Sequence, residues 1–203
     1  MPASELSALL MLLTATSFTP GPNTALSTAL AANRGLRHAM PFVLSVPVGW
    51  GLMLCFCAAG VGALIEAQPA LRNSIQALGV SYLLWLAFKL ARSGSPASGE
   101  VEQLHVTFVQ GVVLQFVNIK AWMLALTLVS GWLVGRADGG ARLGLLLPAM
   151  VGFGFASNLA YALVGSMLRE WLDGPAHQGL RRGWFNRGMA VILVATAAWM
   201  ARF

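Results

Sequence analysis

Residues 6–33 read LSALLMLLTATSFTPGPNTALSTALAAN, twenty-eight positions without one Asp, Glu, Lys or Arg. A helix needs roughly 20 apolar residues to cross the hydrocarbon core of a bilayer, with ~17–25 tolerated. This stretch exceeds that length, and it carries Thr19-Pro20-Gly21-Pro22-Asn23-Thr24 near its middle. Both facts decide the fold class. The length places the chain in a lipid bilayer, and the prolines break the helix where continuity would be expected.

The rest of the chain repeats the pattern. Further stretches free of those four residue types run over 38–65, 73–88, 103–119, 121–135, 143–168 and 188–201. Three stretches (6–33, 38–65, 143–168) are long enough outright. Residues 103–135 qualify if Lys120 is allowed inside, and the remaining two qualify once end charges snorkel to the interface. The spacing predicts spans at about 6–30, 41–65, 71–91, 107–133, 143–168 and 184–203. The expected fold is an all-α integral membrane protein with six transmembrane helices and one transmembrane domain over 1–203.

Composition agrees. Of 203 residues, 57% are hydrophobic and 10% charged, with a mean hydropathy of +0.70. Soluble domains carry about 25% charged residues, so a water-soluble globule is excluded. The net charge of +6 does not point to nucleic acid, because the cations sit in short loops and not on one soluble face. Met1 to Leu6 contains Glu5 and no Lys or Arg, so no secretory signal is expected and the first segment reads as a true span. Cys55 and Cys57 lie two apart in the second segment, point in different directions on a helix, and read as small core residues.

The loops give the orientation. Eight cations (Arg34, Arg37, Lys89, Arg92, Arg169, Arg181, Arg182, Arg187) fall at one end and four (Arg72, Arg136, Arg142, Arg202) at the other. The positive-inside rule puts the eight in the cytoplasm and both termini outside. The one linker-like segment, Ser93 to Gln103, separates pseudo-repeats over about 1–92 and 104–203. Three spans per half invert the second half relative to the first, an inverted 3+3 repeat of the kind used for alternating access.

Chemistry is concentrated at a few places. The Pro20-Gly21-Pro22 break frees backbone groups that lipid cannot satisfy, so it should face the bundle interior. The helix end after it can present N–H groups and a positive dipole to a carboxylate, aided by Asn23, Thr24 and Ser27. A structural kink without a ligand is the alternative. Lys120 is the one formal charge deep in an apolar stretch, 18 positions after Glu102 and 16 before Arg136. It either meets an anionic substrate group, or snorkels, or pairs with backbone carbonyls. Asn118 shares its polar patch, and Gln115 shares a helical face with Asn118. Asn158 and Tyr161, three apart, read as an interhelical hydrogen-bonding pair or a substrate contact. Ser45 and Gly49 read as a close-packing pair.

Several classes lack support. His38, His105 and His177 fall in or beside loops, and no Ser/His pair, metal-ligand spacing or nucleotide-binding loop is present. No metal or cofactor is expected. No Asp or Glu lies within a span, so a proton carrier is not obvious. The candidates are Glu5, Glu66, Lys120 and the amine of the substrate.

Taken together, Phe18 to Asn23, Arg34-Gly35-Leu36-Arg37, Leu78-Gly79-Val80-Ser81-Tyr82-Leu83-Leu84-Trp85-Leu86-Ala87-Phe88-Lys89 and Phe108 to Lys120 resemble the LysE/RhtB family of bacterial amino-acid exporters, over nearly the whole chain. The resemblance implies export of small amino acids or derivatives from the cytoplasm through the inner membrane by exchange with protons, without a cofactor or nucleic acid. It is compatible with a homodimer. The candidate substrate site, from the residues themselves, is Pro20, Gly21, Pro22, Asn23, Thr24, Gln115, Asn118, Lys120 and Asn158. Two departures stand out. Ile119 replaces the proline of the family's Asn-Pro-Lys, so a weaker kink is expected there. The family's later Pro-Gln-Phe is absent, with Val129-Ser130-Gly131-Trp132 in that region. Leu114 to Lys120 looks most like the family's cysteine/O-acetylserine exporters, with homoserine or threonine types as alternatives. A small channel, a structural membrane subunit or a lipid-acting enzyme are the competing classes. A channel should spread polarity along several helices, and an enzyme needs an acid/base or nucleophile cluster.

Overall fold

The computed structural model describes residues 1–93, 104–172, 174 and 180–202, with the side chain of Glu66 also outside the description. The expected linker over 93–103 therefore lies outside the described residues apart from Ser93, as does His177. All regular elements among the described residues are α-helices: α1 (Ala3–Phe18), α2 (Pro22–Arg34), α3 (Leu36–Ala58), α4 (Val61–Ala67), α5 (Pro69–Arg92), α6 (Phe108–Val117), α7 (Ile119–Trp132), α8 (Gly139–Leu172) and α9 (Leu180–Met200).

Three helices (α3, α5 and α8) are each long and apolar enough to cross a membrane, and α6 with α7, bent by 67° at their break, count as a fourth if the pair is one span. At 1.5 Å per residue, α3 is about 34 Å long, against a hydrocarbon core of roughly 30 Å. The polarity is inverted relative to a soluble protein. Leu44, Val48, Leu52 and Phe56, four apart along α3, are each 44–45% exposed. Asn23, Gln115, Asn118, Asn158 and Asn186 are buried. Apolar groups outside and amides inside suit hydrocarbon as the surrounding solvent. The chain is an all-helical integral membrane protein.

Local chemistry explains the breaks. Thr19 precedes Pro20 and is extended (φ −67°, ψ 129°), because a residue before proline is pushed out of the α region, and α1 ends there. Pro22 then occupies the first turn of α2, where a missing N–H costs nothing. The second break differs from expectation. Ile119 was expected to weaken the kink, yet the helix is fully interrupted. Asn118 is extended (φ −92°, ψ 102°), and its side-chain oxygen accepts from the Lys120 backbone N–H at 3.2 Å, capping α7. An asparagine cap ends one helix and starts the next without proline. The expected span 41–65 is also not continuous: α3 stops at Ala58, and Gly60 adopts φ +93°, a left-handed turn into α4.

Packing runs between the halves of the chain. The most extensive helix contacts are α2 with α8, α5 with α9, α3 with α8, and α3 with α6. Small residues allow the closest approaches. A Cβ on Gly111 would overlap the Ser45 hydroxyl, and one on Gly49 would lie 2.9 Å from Gln115 Cβ, so the Ser45/Gly49 face of α3 is the close-packing surface it was expected to be. The cysteines form no disulfide.

The two ends of the bundle are fastened differently. At the end holding the N-terminus of α1, Glu5 accepts from Arg142 at 2.7 Å and pairs with Arg136 at 3.2 Å, and Asp138 pairs with Arg142 at 2.7 Å. The Arg142 hydrogen bond is the largest influence on the Glu5 carboxyl; with the Arg136 charge it outweighs the opposing effect of burial and holds the group below its ordinary value of 4.5. Asp138 is lowered in the same way by Arg142. A depressed carboxylate contributes stability above its unfolded pKa and loses it as pH falls through the folded value. Melting in detergent should be level from neutral pH down to about 5 and decline below that. Glu5→Gln should lower the plateau and flatten part of the acid decline; an unchanged acid slope in that variant would show that Glu5 is not coupled to folding. At the other end, Asn33 and Asn186 exchange two hydrogen bonds (2.7 and 3.0 Å), and Asn186 also donates to the Ser93 carbonyl at 2.7 Å, joining α2, α9 and the end of α5.

Candidate functional site

The two breaks meet in the middle of the bundle. The Lys120 ammonium, on the first turn of α7, donates to the Thr19 carbonyl at 2.8 Å, across 101 positions of sequence. It lies beside Gly21, where an added Cβ would be 3.5 Å from Nζ. The cation therefore sits between the C-terminal end of α1, whose dipole is negative, and the N-terminal end of α2. Tyr161 of α8 donates to the Phe18 carbonyl at 2.9 Å. Two backbone acceptors at the break, the Phe18 and Thr19 carbonyls, are thus met by side chains from α8 and α7.

The start of α2 is built in the same economical way. The Gly21 N–H donates to the Thr24 hydroxyl at 2.9 Å, and that hydroxyl donates back to the Gly21 carbonyl at 3.1 Å. Pro20 and Pro22 have no N–H to satisfy. The first-turn N–H groups of Asn23 and Thr24 have no intrahelical acceptor, as at any helix start.

The remaining expected residues divide into two groups. Asn23 and Gln115 hold each other: Gln115 accepts from Asn23 at 2.8 Å and donates back at 3.2 Å. Gln115 also accepts from Trp50 Nε1 at 3.0 Å and donates to the Gly111 carbonyl at 2.9 Å, so its amide is fully used. This pair clamps α2 to α6. Asn158 accepts from Ser27 at 2.9 Å and donates to Gly154 O at 2.9 Å, the interhelical bond foreseen as one of its two readings. Lys120, Asn118, Gly21, Pro22, Asn23, Thr24 and Asn158 all border one small cavity of about 10 Å³, with Ser17 and Trp50. Pro20 lines a larger neighbouring cavity of about 660 Å³ between α1, α7 and α9, which shares Thr16, Thr19, Gly21 and Lys120 with the small one. Gln115 borders neither and works through Asn23.

Sequence reasoning missed Trp50 and Ser17. The signal for Trp50 was available, since a buried indole N–H requires an acceptor. The signal for Ser17 was its position on the last turn before the break. Among the described residues no group of three or more His, Cys, Asp or Glu could hold a metal ion.

Residues 14–202 match the model of the LysE type translocator family. The chain belongs to that family. The translocator is 29% identical over 170 residues to a cysteine/O-acetylserine efflux protein of Klebsiella pneumoniae, covering 84% of this chain and 86% of the relative. It is 30% identical over 167 residues to the protein of the same name from Salmonella paratyphi A, covering 76% and 79%. It is 28% identical over 166 residues to the one from Escherichia coli K12, again covering 76% and 79%. No solved structure matches the translocator significantly. Membership of a translocator family sets aside the lipid-acting enzyme.

Proposed function

We propose that this translocator exports small, uncharged amino acids or their derivatives from the cytoplasm across the bacterial inner membrane, as a secondary carrier exchanging substrate for protons. The observation that carries the reading is the meeting of Lys120 with the broken helix at Thr19 to Gly21. A substrate carboxylate entering there finds an ammonium and first-turn N–H groups. Among the described residues the ammonium donates to a neutral carbonyl, and exchange for a carboxylate would strengthen the contact. The names of the relatives support an amino acid as cargo, with cysteine and O-acetylserine as the first candidates.

The architecture proposed is six spans in two inverted halves, with α1/α2 and α6/α7 as equivalent broken spans. Helix pairing supports it. The first broken span packs chiefly on α8, the fifth expected span, and the second broken span on α3, the second expected span. Those two contacts exchange under a twofold relating the halves, while α5 with α9 and α3 with α8 map onto themselves. The two halves would rock around Lys120. The termini are proposed to lie outside. In support, Lys89 and Arg92 stack over Trp85 and Phe88, and Arg181 and Arg187 over Trp171 and Trp184, all at the cation-rich end, as basic-aromatic pairs do at a headgroup layer. Glu5 is tied into its arginine cluster and stays ionised at neutral pH, which leaves Glu66, Lys120 and the substrate's amine as candidates for the proton-carrying group.

A channel fits less well, because the polar centre narrows to a cavity of about 10 Å³, room for roughly one water. The test is release of labelled cysteine, O-acetylserine, threonine and homoserine from proteoliposomes, with and without a pH gradient. Saturable release that responds to the gradient is expected. Non-saturating release indifferent to the gradient would point to a channel instead.

A further inference from the structure

The hydroxyl of Ser17 stands apart from its neighbours. Along α1, Ser7, Thr14, Thr16 and Thr19 each donate to a carbonyl of their own helix (Ser4, Leu10, Leu12 and Ala15). Ser17, only 3% exposed, donates to nothing, and its oxygen has no hydrogen-bond partner among the described residues. It borders the small cavity that holds Lys120, Asn118 and the start of α2. A buried hydroxyl left without a partner is costly, so the position is one where a ligand atom improves the fold's own hydrogen bonding.

The adjoining cavity has a different character. Its 660 Å³ are bordered by Leu12, Ala15, Met123, Leu124, Ile192 and Trp199, with the hydroxyls of Thr127 and Thr196 interspersed, and it opens to the outside of the bundle, where Met123 and Trp199 are 44% and 42% exposed. Among the described residues Lys120 is its one charged lining residue, and none of the lining residues is a carboxylate. It occupies the half of the bundle that contains the start of α1 and the end of α9.

We infer that the two cavities are one divided site: the neck at Ser17 and Lys120 takes the substrate's carboxylate, and the cavity between α1, α7 and α9 takes its side chain. The occupant is a zwitterionic amino acid with an uncharged, weakly apolar side chain. The neck admits little more than one oxygen, so the body of the substrate has to lie on the larger side. Once the carboxylate takes the Lys120 ammonium, the Thr19 carbonyl is released to accept from the substrate's own ammonium. A charged side chain finds no counter-ion in the apolar cavity and would lose its hydration without compensation. This inference rests on the export reading above and adds the side-chain rule.

The experiment is competition for efflux of labelled O-acetyl-L-serine from proteoliposomes, using L-norvaline, L-lysine and L-glutamate as competitors. Norvaline should compete within about tenfold of unlabelled O-acetylserine, and lysine and glutamate at least ~100-fold more weakly. Ser17→Ala should raise the apparent KM by about tenfold with little change in maximal rate. Thr196→Asp should improve competition by lysine by at least about tenfold, a gain that loss of folding cannot mimic. Lysine or glutamate competing as well as norvaline would overturn the inference, as would a Thr196→Asp variant of unaltered selectivity, the result expected if a lipid chain fills the cavity. Release of O-acetylserine with the wrong selectivity defeats the side-chain rule alone. Absence of release for every labelled amino acid defeats the export reading and this one with it.

Discussion

Lys120→Met is expected to lower transport at least about 100-fold, while leaving a folded, monodisperse protein. Truncating one partner of a buried, hydrogen-bonded charge pair costs about 2–5 kcal/mol, and each 1.4 kcal/mol is a factor of ten. The ammonium lies 2.8 Å from the Thr19 carbonyl, beside the first turn of α2. Among the described residues it is the one charged group lining either central cavity. Methionine keeps the length and apolar stem but removes every donor. The Thr19 carbonyl, on an exposed residue, then loses a charge-assisted hydrogen bond, worth at most about 1.5–3 kcal/mol of stability. Efflux must therefore be compared at matched expression together with a melting curve. A variant that melts slightly lower yet transports at the wild-type rate would reduce Lys120 to a cap for a broken helix. A steep loss of transport at nearly unchanged melting would make the ammonium a substrate contact.

Gly79→Ala is expected to destabilise strongly, although the same change in an unobstructed helix stabilises by up to about 1 kcal/mol. A Cβ at Gly79 would overlap the carbonyl oxygen of Val117 and stand 3.1 Å from its carbonyl carbon. Neither atom can rotate away, because Val117 is the last residue of α6, immediately before the Asn118 break. The helix α5 would have to back off, dragging the second broken span with it. Overpacking of this kind costs about 1–3 kcal/mol and occasionally more. With a shift of about 2–4 °C per kcal/mol for a chain of this size, the melting point should fall by up to roughly 10 °C. Gly152 supplies the control: it lies on α8, and nothing is within 4 Å of its would-be Cβ. Gly152→Ala should be neutral or slightly stabilising. Equal melting points for the two variants would refute the contact.

The Gly79 case shows where reading the chain alone runs out. Leu78-Gly79-Val80-Ser81-Tyr82 carried the family resemblance, but nothing local says why a glycine is needed. The reason is a backbone oxygen 38 positions away. Ile119 is the converse. Proline chemistry suggested that its absence would soften the second kink, whereas an asparagine cap produces a 67° bend without proline. Gln115 and Asn23 were both read as ligand groups from polarity in an apolar run; they spend their hydrogen bonds chiefly on each other, across 92 positions.

The sequence by itself determined that this protein lives in a bilayer, where its first span must break, and that Lys120 is a charge in need of a reason. Those are consequences of local composition: run lengths against bilayer thickness, prolines against helix geometry, and the cost of a cation in hydrocarbon. The tertiary structure decided what each of those features meets. Lys120 finds Thr19, Asn186 finds Asn33 and Ser93, and Ser17 finds no partner among the described residues, because hydrogen bonds between distant helices depend on helix rotation and crossing. Those are set by small-residue contacts such as Gly111 on Ser45 and Gly79 on Val117, which no single stretch of chain encodes.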